Sequence, residues 1–157
     1  MRKTKLYLDT SVPSFLFTED SPEKRKTTIK FWELLRLEIY EIVISDILLI
    51  EINRAKPPLN NQLAECIAQL SPFVIHVTED IHNLGEKYVQ EKIIPQKYFD
   101  DALHLACATY ANVDSVVSWN FKHFVNLKTI RGVNGVNRIV GLKEIEILTP
   151  QSWIEEE

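Results

Sequence analysis

The sequence predicts an α/β protein in which a mainly parallel central sheet of four to five short strands is flanked by helices on both faces. Three observations predict it. Short apolar runs, many of them β-branched, recur along the chain at residues 5–8, 41–44, 73–77, 113–119 and 145–148. Segments with apolar residues three and four apart separate them, which is the period of a helix with one buried face. The strand runs are apolar almost throughout rather than alternating, as expected of strands covered on both sides.

The elements follow in order. Lys5-Leu6-Tyr7-Leu8 forms a buried strand ending in Asp9, and Ser11 with Pro13 opens a helix directly after it. Ser21-Pro22-Glu23 supplies a cap, a proline at the first helical position and an acid in the first turn. Ile29, Trp32, Leu35 and Ile39 then mark an amphipathic helix. After the second strand, Ser45 or Asp46 caps a helix over residues 47–55, which Pro57-Pro58 ends. Residues 59–70 form a helix and 73–77 a strand. Thr78-Glu79-Asp80 opens a helix that runs to about residue 94, before Pro95. Residues 98–111 form a helix and 113–119 a strand, with a turn or short helix at 120–124. Gly132 to Gly141 reads as a glycine- and asparagine-rich loop before the last strand at 145–148.

At 157 residues the chain suits one domain with one core, spanning residues 1–157, and it contains no repeat or low-complexity linker. Its 45% hydrophobic and 25% charged content is that of a globular protein, and no apolar stretch is long enough to span a bilayer. The apolar run behind the basic start Met1-Arg2-Lys3 is too short for a signal peptide, so a cytoplasmic location is expected. Cys66 and Cys107 lack the paired spacing of a zinc site and read as buried free thiols. The net charge of −4 does not advertise nucleic-acid binding, but three of the acids lie in Glu155-Glu156-Glu157, read as a solvated tail.

Chemistry in open α/β sheets collects beyond the carboxyl ends of strands. Asp9 and Asn120 follow two such ends, whereas Glu51 and Asp101 interrupt apolar helical neighbourhoods. Each has an ordinary explanation on its own: a cap for Asp9, a solvent face for Glu51, the positive end of a helix for Asp101, a turn for Asn120. Taken together they point elsewhere. If the sheet brings the three acids together, like charges about 4 Å apart repel by roughly 4 kcal/mol at an effective dielectric near 20. Protonation or a bound cation relieves that repulsion, and oxygen ligands without thiolate favour Mg²⁺ or Mn²⁺. Among the histidines at 76, 82, 104 and 123, His104 shares a helix face with Asp101. It has no histidine partner four residues away, and reads as a packed residue near the site rather than a zinc ligand.

Leu6-Tyr7-Leu8-Asp9-Thr10-Ser11 resembles the opening strand of PIN domains, a hydrophobic run ending in aspartate followed by threonine or serine. Asp101-Ala102-Leu103-His104-Leu105-Ala106 resembles the helix that carries the family's third acid, and Ser118-Trp119-Asn120 with Phe121 and Phe124 resembles its threonine-x-aspartate motif. The pieces occur in the family's order over almost the whole chain. The resemblance implies a PIN-like three-layer α/β/α fold and a ribonuclease similar to VapC-type toxins. Asp9, Glu51 and Asp101 would hold Mg²⁺ or Mn²⁺ and, with Asn120, form the catalytic set. Thr10 and Ser11 would support the acids or contact the RNA, and Lys122 and His123 would contact the RNA, with Lys128 and Arg131 as further candidates. Asn120 stands where the family has a fourth acid, which removes one negative charge and leaves open a non-catalytic binding module on the same fold. The resemblance also implies an antitoxin partner and a homodimer, to which Phe15, Phe17, Trp32 and Tyr40 would contribute.

Overall fold

In a computed structural model that describes residues 2–154, five parallel strands form one sheet between two layers of helices. In chain order the strands and helices are β1 (Thr4–Leu8), α1 (Ser11–Phe15), α2 (Pro22–Leu35), β2 (Tyr40–Ser45), α3 (Asp46–Asn53), α4 (Leu59–Ala68) and β3 (Phe73–Ile75). Then come α5 (Glu79–Gln90), α6 (Phe99–Tyr110), β4 (Ser115–Val117), α7 (Leu127–Ile139) and β5 (Glu146–Leu148). Short 3-10 turns precede α6 and close the described chain.

The strand order is β3-β2-β1-β4-β5. β1 is central: Leu6 lies opposite Ile42 of β2 on one side and Ser115 of β4 on the other. The chain builds outward from β1 through β2 to β3, then returns to place β4 against the far side of β1. That reversal opens a crevice beyond the carboxyl ends of β1 and β4, where such sheets place their ligands.

Successive side chains of a strand point to opposite faces, so each strand feeds both layers. Tyr7, Val43, Val116 and Ile147 pack into the core shared with α5, α6 and α7. Leu6, Leu8, Ile42, Ile44 and Val117 pack into the core under α1 to α4. Burial of β1 is complete from Leu6 to Leu8, which explains its uninterrupted apolar sequence.

Three caps fix helix starts near the site edge. The Ser45 hydroxyl accepts from the Leu48 amide, Thr78 from Ile81, and the Asn126 side chain from Thr129. Each satisfies an amide that the first turn leaves without a partner.

The fold corrects the sequence reading in several places. The expected loop from Gly132 to Gly141 is helical over most of its length, as the second half of α7. Val133 and Val136 face inward there, and Asn137 is fully buried with its amide donating to Thr109 and to the Lys143 carbonyl. Helix α2 stops at Leu35, leaving Ile39 outside it, and Ile29 lies on its open side. Helix α5 ends at Gln90, after which Lys92 takes a left-handed conformation with φ 61°. Cys107 is buried but Cys66 only partly so, and both are free thiols. The acidic tail at 155–157 lies outside the described residues. No described helix is long and apolar enough to cross a membrane.

Candidate active site

Asp9 stands where β1 ends, and its backbone amide still donates to Val117 of β4. It is almost wholly buried, with 3% exposure. Two serines hold its carboxylate: Ser11 donates to Oδ1 at 2.6 Å and Ser118 to Oδ2 at 2.7 Å. Each serine oxygen accepts in turn from the backbone beyond β4, Ser11 from the Trp119 amide and Ser118 from the Asn120 amide. The carboxylate is therefore fixed by the two chain segments that leave the switch point. Burial lifts its pKa from 3.8 to about 6; His104 and the serine hydroxyls pull it down, and the charge of Asp101 adds to the rise.

Glu51, on α3, is half-buried and turned inward, away from the solvent face that exposes Leu49 and Ile50. Its Oε1 accepts from the Thr10 hydroxyl at 2.9 Å and lies 2.5 Å from His104 Nε2. Burial works against its ionised form, but the hydrogen bond and charge of His104, the Thr10 hydroxyl and the charge of Arg54 outweigh it, so its pKa falls below the ordinary value.

His104, on α6, connects the two layers past the end of the sheet. It is 1% exposed, and its Nδ1 lies 2.7 Å from the Tyr7 hydroxyl, which is itself 2.7 Å from Ser45 Oγ. Burial holds the Tyr7 phenol well above its usual pKa, so it stays protonated. With His104 neutral, a consistent direction is Ser45 donating to Tyr7, Tyr7 to His104 Nδ1, and Nε2–H to Glu51; in the imidazolium Nδ1–H donates to Tyr7 instead. Burial disfavours an imidazolium, yet the bond to Glu51 and the charges of Glu51, Asp9 and Asp101 leave the His104 pKa raised.

Asp101 lies in the first turn of α6 and points inward to His123, whose Nδ1 is 2.7 Å from Oδ2. Burial raises its pKa against the His123 bond and the charges of both histidines, and the charge of Glu51 adds to the rise. Its neighbour Asp100 is exposed and faces Arg54 at 3.9 Å, a surface pair of small energetic weight.

The three sequence-predicted acids thus share one electrostatic neighbourhood at the carboxyl edge of the sheet, centred on His104. Other expectations need correction. His123 is not a free rim contact: it is 6% exposed and committed to Asp101, while its Nε2 has no partner. The Asn120 Oδ1 accepts from the His123 amide at 2.9 Å and so closes a turn. Thr10 and Ser11 need no such correction: they stand beside the acids, bonded to Glu51 and Asp9. Lys122, Lys128 and Arg131 are exposed. Trp32 belongs to the core, and Tyr40 and Phe15 pack edge-on or tilted against Trp153 and Trp119 within the chain.

Sequence reasoning gave no site role to Tyr7, named Ser45 only as a helix cap and Ser118 only as part of the motif that ends in Asn120. Ser45 and Ser118 each end or follow a strand as Asp9 does, a position that marks the carboxyl edge. Tyr7 carried the only polar atom on an otherwise apolar strand interior, and a buried phenol needs a partner.

The donor set suits a hard cation, since carboxylate oxygens prefer Mg²⁺ or Mn²⁺. No three acid, histidine or cysteine side chains among the described residues form a ready-made cage. Mg²⁺ does not need one, because it keeps several waters and takes one or two carboxylates plus substrate phosphate. Asp9 retains a free lone pair on each oxygen beyond its serine bonds. The residues therefore fit a hydrated cation.

No family model matches the chain, and no curated protein sequence does. Among solved structures it is similar to VapBC2 from Rickettsia felis, solved bound to a DNA fragment from their promoter. That likeness has a TM-score of 0.55 at 16% identity and covers 93% of this chain and 98% of the other. It is also similar to VapC20 of Mycobacterium tuberculosis, a sarcin-ricin loop cleaving toxin, with a TM-score of 0.57 at 15% identity over 90% of this chain and 98% of that one. At these identities the likeness establishes the architecture: the chain has a PIN-type, VapC-like α/β/α fold.

Proposed function

We propose that this chain is a Mg²⁺- or Mn²⁺-dependent endoribonuclease that hydrolyses RNA phosphodiester bonds, the toxin member of a toxin–antitoxin pair. The observation that carries the reading is the convergence of Asp9, Glu51 and Asp101, from one strand end and two separate helices, around the buried His104. The VapC architecture supports the same reading and suggests an antitoxin as partner.

Asp9 and Asp101 would hold the cation, with Glu51 beside them. A bound divalent ion supplies positive charge for the phosphate oxygens and makes the attacking water more acidic. The chain's own residues do the rest. The two serines fix Asp9, so no reorganisation is needed when a cation or phosphate arrives. His123 orients Asp101 through Oδ2. Glu51 is the best placed to orient water and take its proton. It is the most accessible of the three, its pKa is lowered so that it is ionised, and His104 and Thr10 fix one of its oxygens.

Purified protein should cleave RNA when Mg²⁺ or Mn²⁺ is added and lose that activity in Asp9→Asn and in Asp101→Asn. Cleavage that survives both changes removes the proposal. A second reading, a binding module on the same fold without catalysis, is favoured by one feature: Asn120 is neutral and its side-chain oxygen closes a turn, so no fourth negative charge is offered there. Titration calorimetry with Mn²⁺ separates the two, since an inert module takes up no metal at millimolar concentration.

A further inference from the structure

Two aromatic pads, each carrying lysine, adjoin the network that holds the carboxylates. On the Asp9 side, the Lys24 ammonium sits 5.6 Å from the ring centre of Phe15, 5.7 Å from Trp119 and 5.1 Å from Phe121. Phe121 is 49% exposed, a large ring that the fold does not cover. On the Asp101 side, Tyr98 lies 4.3 Å from the His123 ring, and Lys97 and Lys122 stand 5.7 and 5.4 Å from its centre. A groove of about 290 Å³ joins this second pad to the acids, lined by Glu51, Lys97, Tyr98, Phe99, Asp100 and Asp101.

One short segment builds both pads. The Trp119 amide is tied to Ser11, which holds Asp9, and Trp119 and Phe121 turn to the first pad. Lys122 and His123 turn to the second, and His123 holds Asp101. The turn closed by Asn120 thus joins two cation-bearing aromatic surfaces, one connected through Ser11 to Asp9 and the other through His123 to Asp101.

Exposed rings bearing ammonium groups are suited to the π-face of a nucleobase and the phosphate beside it. A base within a duplex has no free face to offer. We infer that the Phe121–Lys24 pad is a stacking subsite for one unpaired nucleotide of the substrate strand. The pad on Tyr98 receives another part of that strand. This rests on the nuclease reading for its substrate class, but binding can be measured without catalysis.

The test uses the full chain in EDTA, with a short single-stranded RNA carrying 2-aminopurine, whose fluorescence falls when its base stacks. The unaltered protein should quench the probe on binding. Phe121→Ala should weaken binding roughly tenfold and abolish the quenching, as expected for loss of one stacked base. Phe121→Tyr should restore both. A blunt RNA duplex should bind the unaltered protein and Phe121→Ala alike. Unchanged affinity and quenching in Phe121→Ala, or no quenching by the unaltered protein, overturns the subsite. Cleavage with Mn²⁺ is scored separately. Phe121-dependent quenching without any cleavage leaves the subsite standing and removes the nuclease reading. Cleavage with a KM that Phe121→Ala does not change does the reverse.

Discussion

Replacing Asp9 with asparagine should make the metal-free protein more stable while destroying its proposed activity. Burial moves the carboxyl from 3.8 to about 6, so above that pH the fold carries an ionised Asp9 at a cost of about 3 kcal/mol relative to the unfolded chain. Asparagine removes the charge and keeps the shape. It obliges one serine proton, now shared with a carboxylate oxygen, to turn elsewhere, a loss of about 1 kcal/mol. The net gain is about 2 kcal/mol, which for a chain of this size raises Tm by about 4–8 °C. The sign with pH is fixed. Between 3.8 and about 6 the folded state binds more protons at this position than the unfolded one, so wild-type stability falls as pH rises through that window. The advantage of Asp9→Asn should therefore be full at mildly alkaline pH and vanish below the ordinary carboxylate range. Thermal melts in EDTA across pH measure it, and Mn²⁺ should then raise the wild-type Tm more than that of the variant. An Asp9→Asn protein no more stable than wild type in EDTA at alkaline pH refutes the account of a buried charge that its serine and histidine partners only partly offset.

Three other outcomes test the fold. Gly132→Ala should destabilise by about 1–3 kcal/mol in urea melts, because a Cβ there would lie 2.6 Å from the Ile93 side chain, whereas Gly135→Ala, with open space around it, should stabilise by up to about 1 kcal/mol. Tyr88→Phe should cost about 1–3 kcal/mol in the same assay, since it strips the buried Asn137 Oδ1 of the hydroxyl that donates to it at 2.5 Å. Asp114 accepts from Arg2, Lys143 and the Lys5 amide, and the Arg2 bond foremost holds its pKa far below the ordinary carboxylate value. Its contribution should be present above the unfolded pKa and lost as pH falls through the folded one, so chemical denaturation of Asp114→Asn and wild type should converge in strong acid.

The sheet was legible because strands covered on both faces carry runs of buried apolar residues, and residues 6–8 and 42–44 do so. The second half of α7 was not, because Gly132, Asn134, Gly135 and Asn137 have the local preferences of a loop. Tertiary contacts override those preferences. Gly132 admits Ile93 against the helix backbone, and Asn134 bonds both the amide and the carbonyl of Ile145. The inward spacing of Thr129, Val133 and Val136, behind the Asn126 cap, was the available helical signal. At the site, the acids could be picked out because charge inside apolar surroundings needs a reason. The partners that orient them come from other elements through contacts such as Tyr7 to His104, which span 97 positions and leave no local pattern.

The path from Ser45 through Tyr7 and His104 to Glu51 means that the two helical layers are not independent in evolution or in engineering. An acid carried by one layer takes its orientation from an imidazole rooted in the other, across the rim of the sheet. Shifting α6 by a fraction of an ångström to improve its packing would turn a carboxylate on α3. Stabilising changes sought in the α5–α7 layer should thus be screened for activity as well as melting, even where they lie far from any acid.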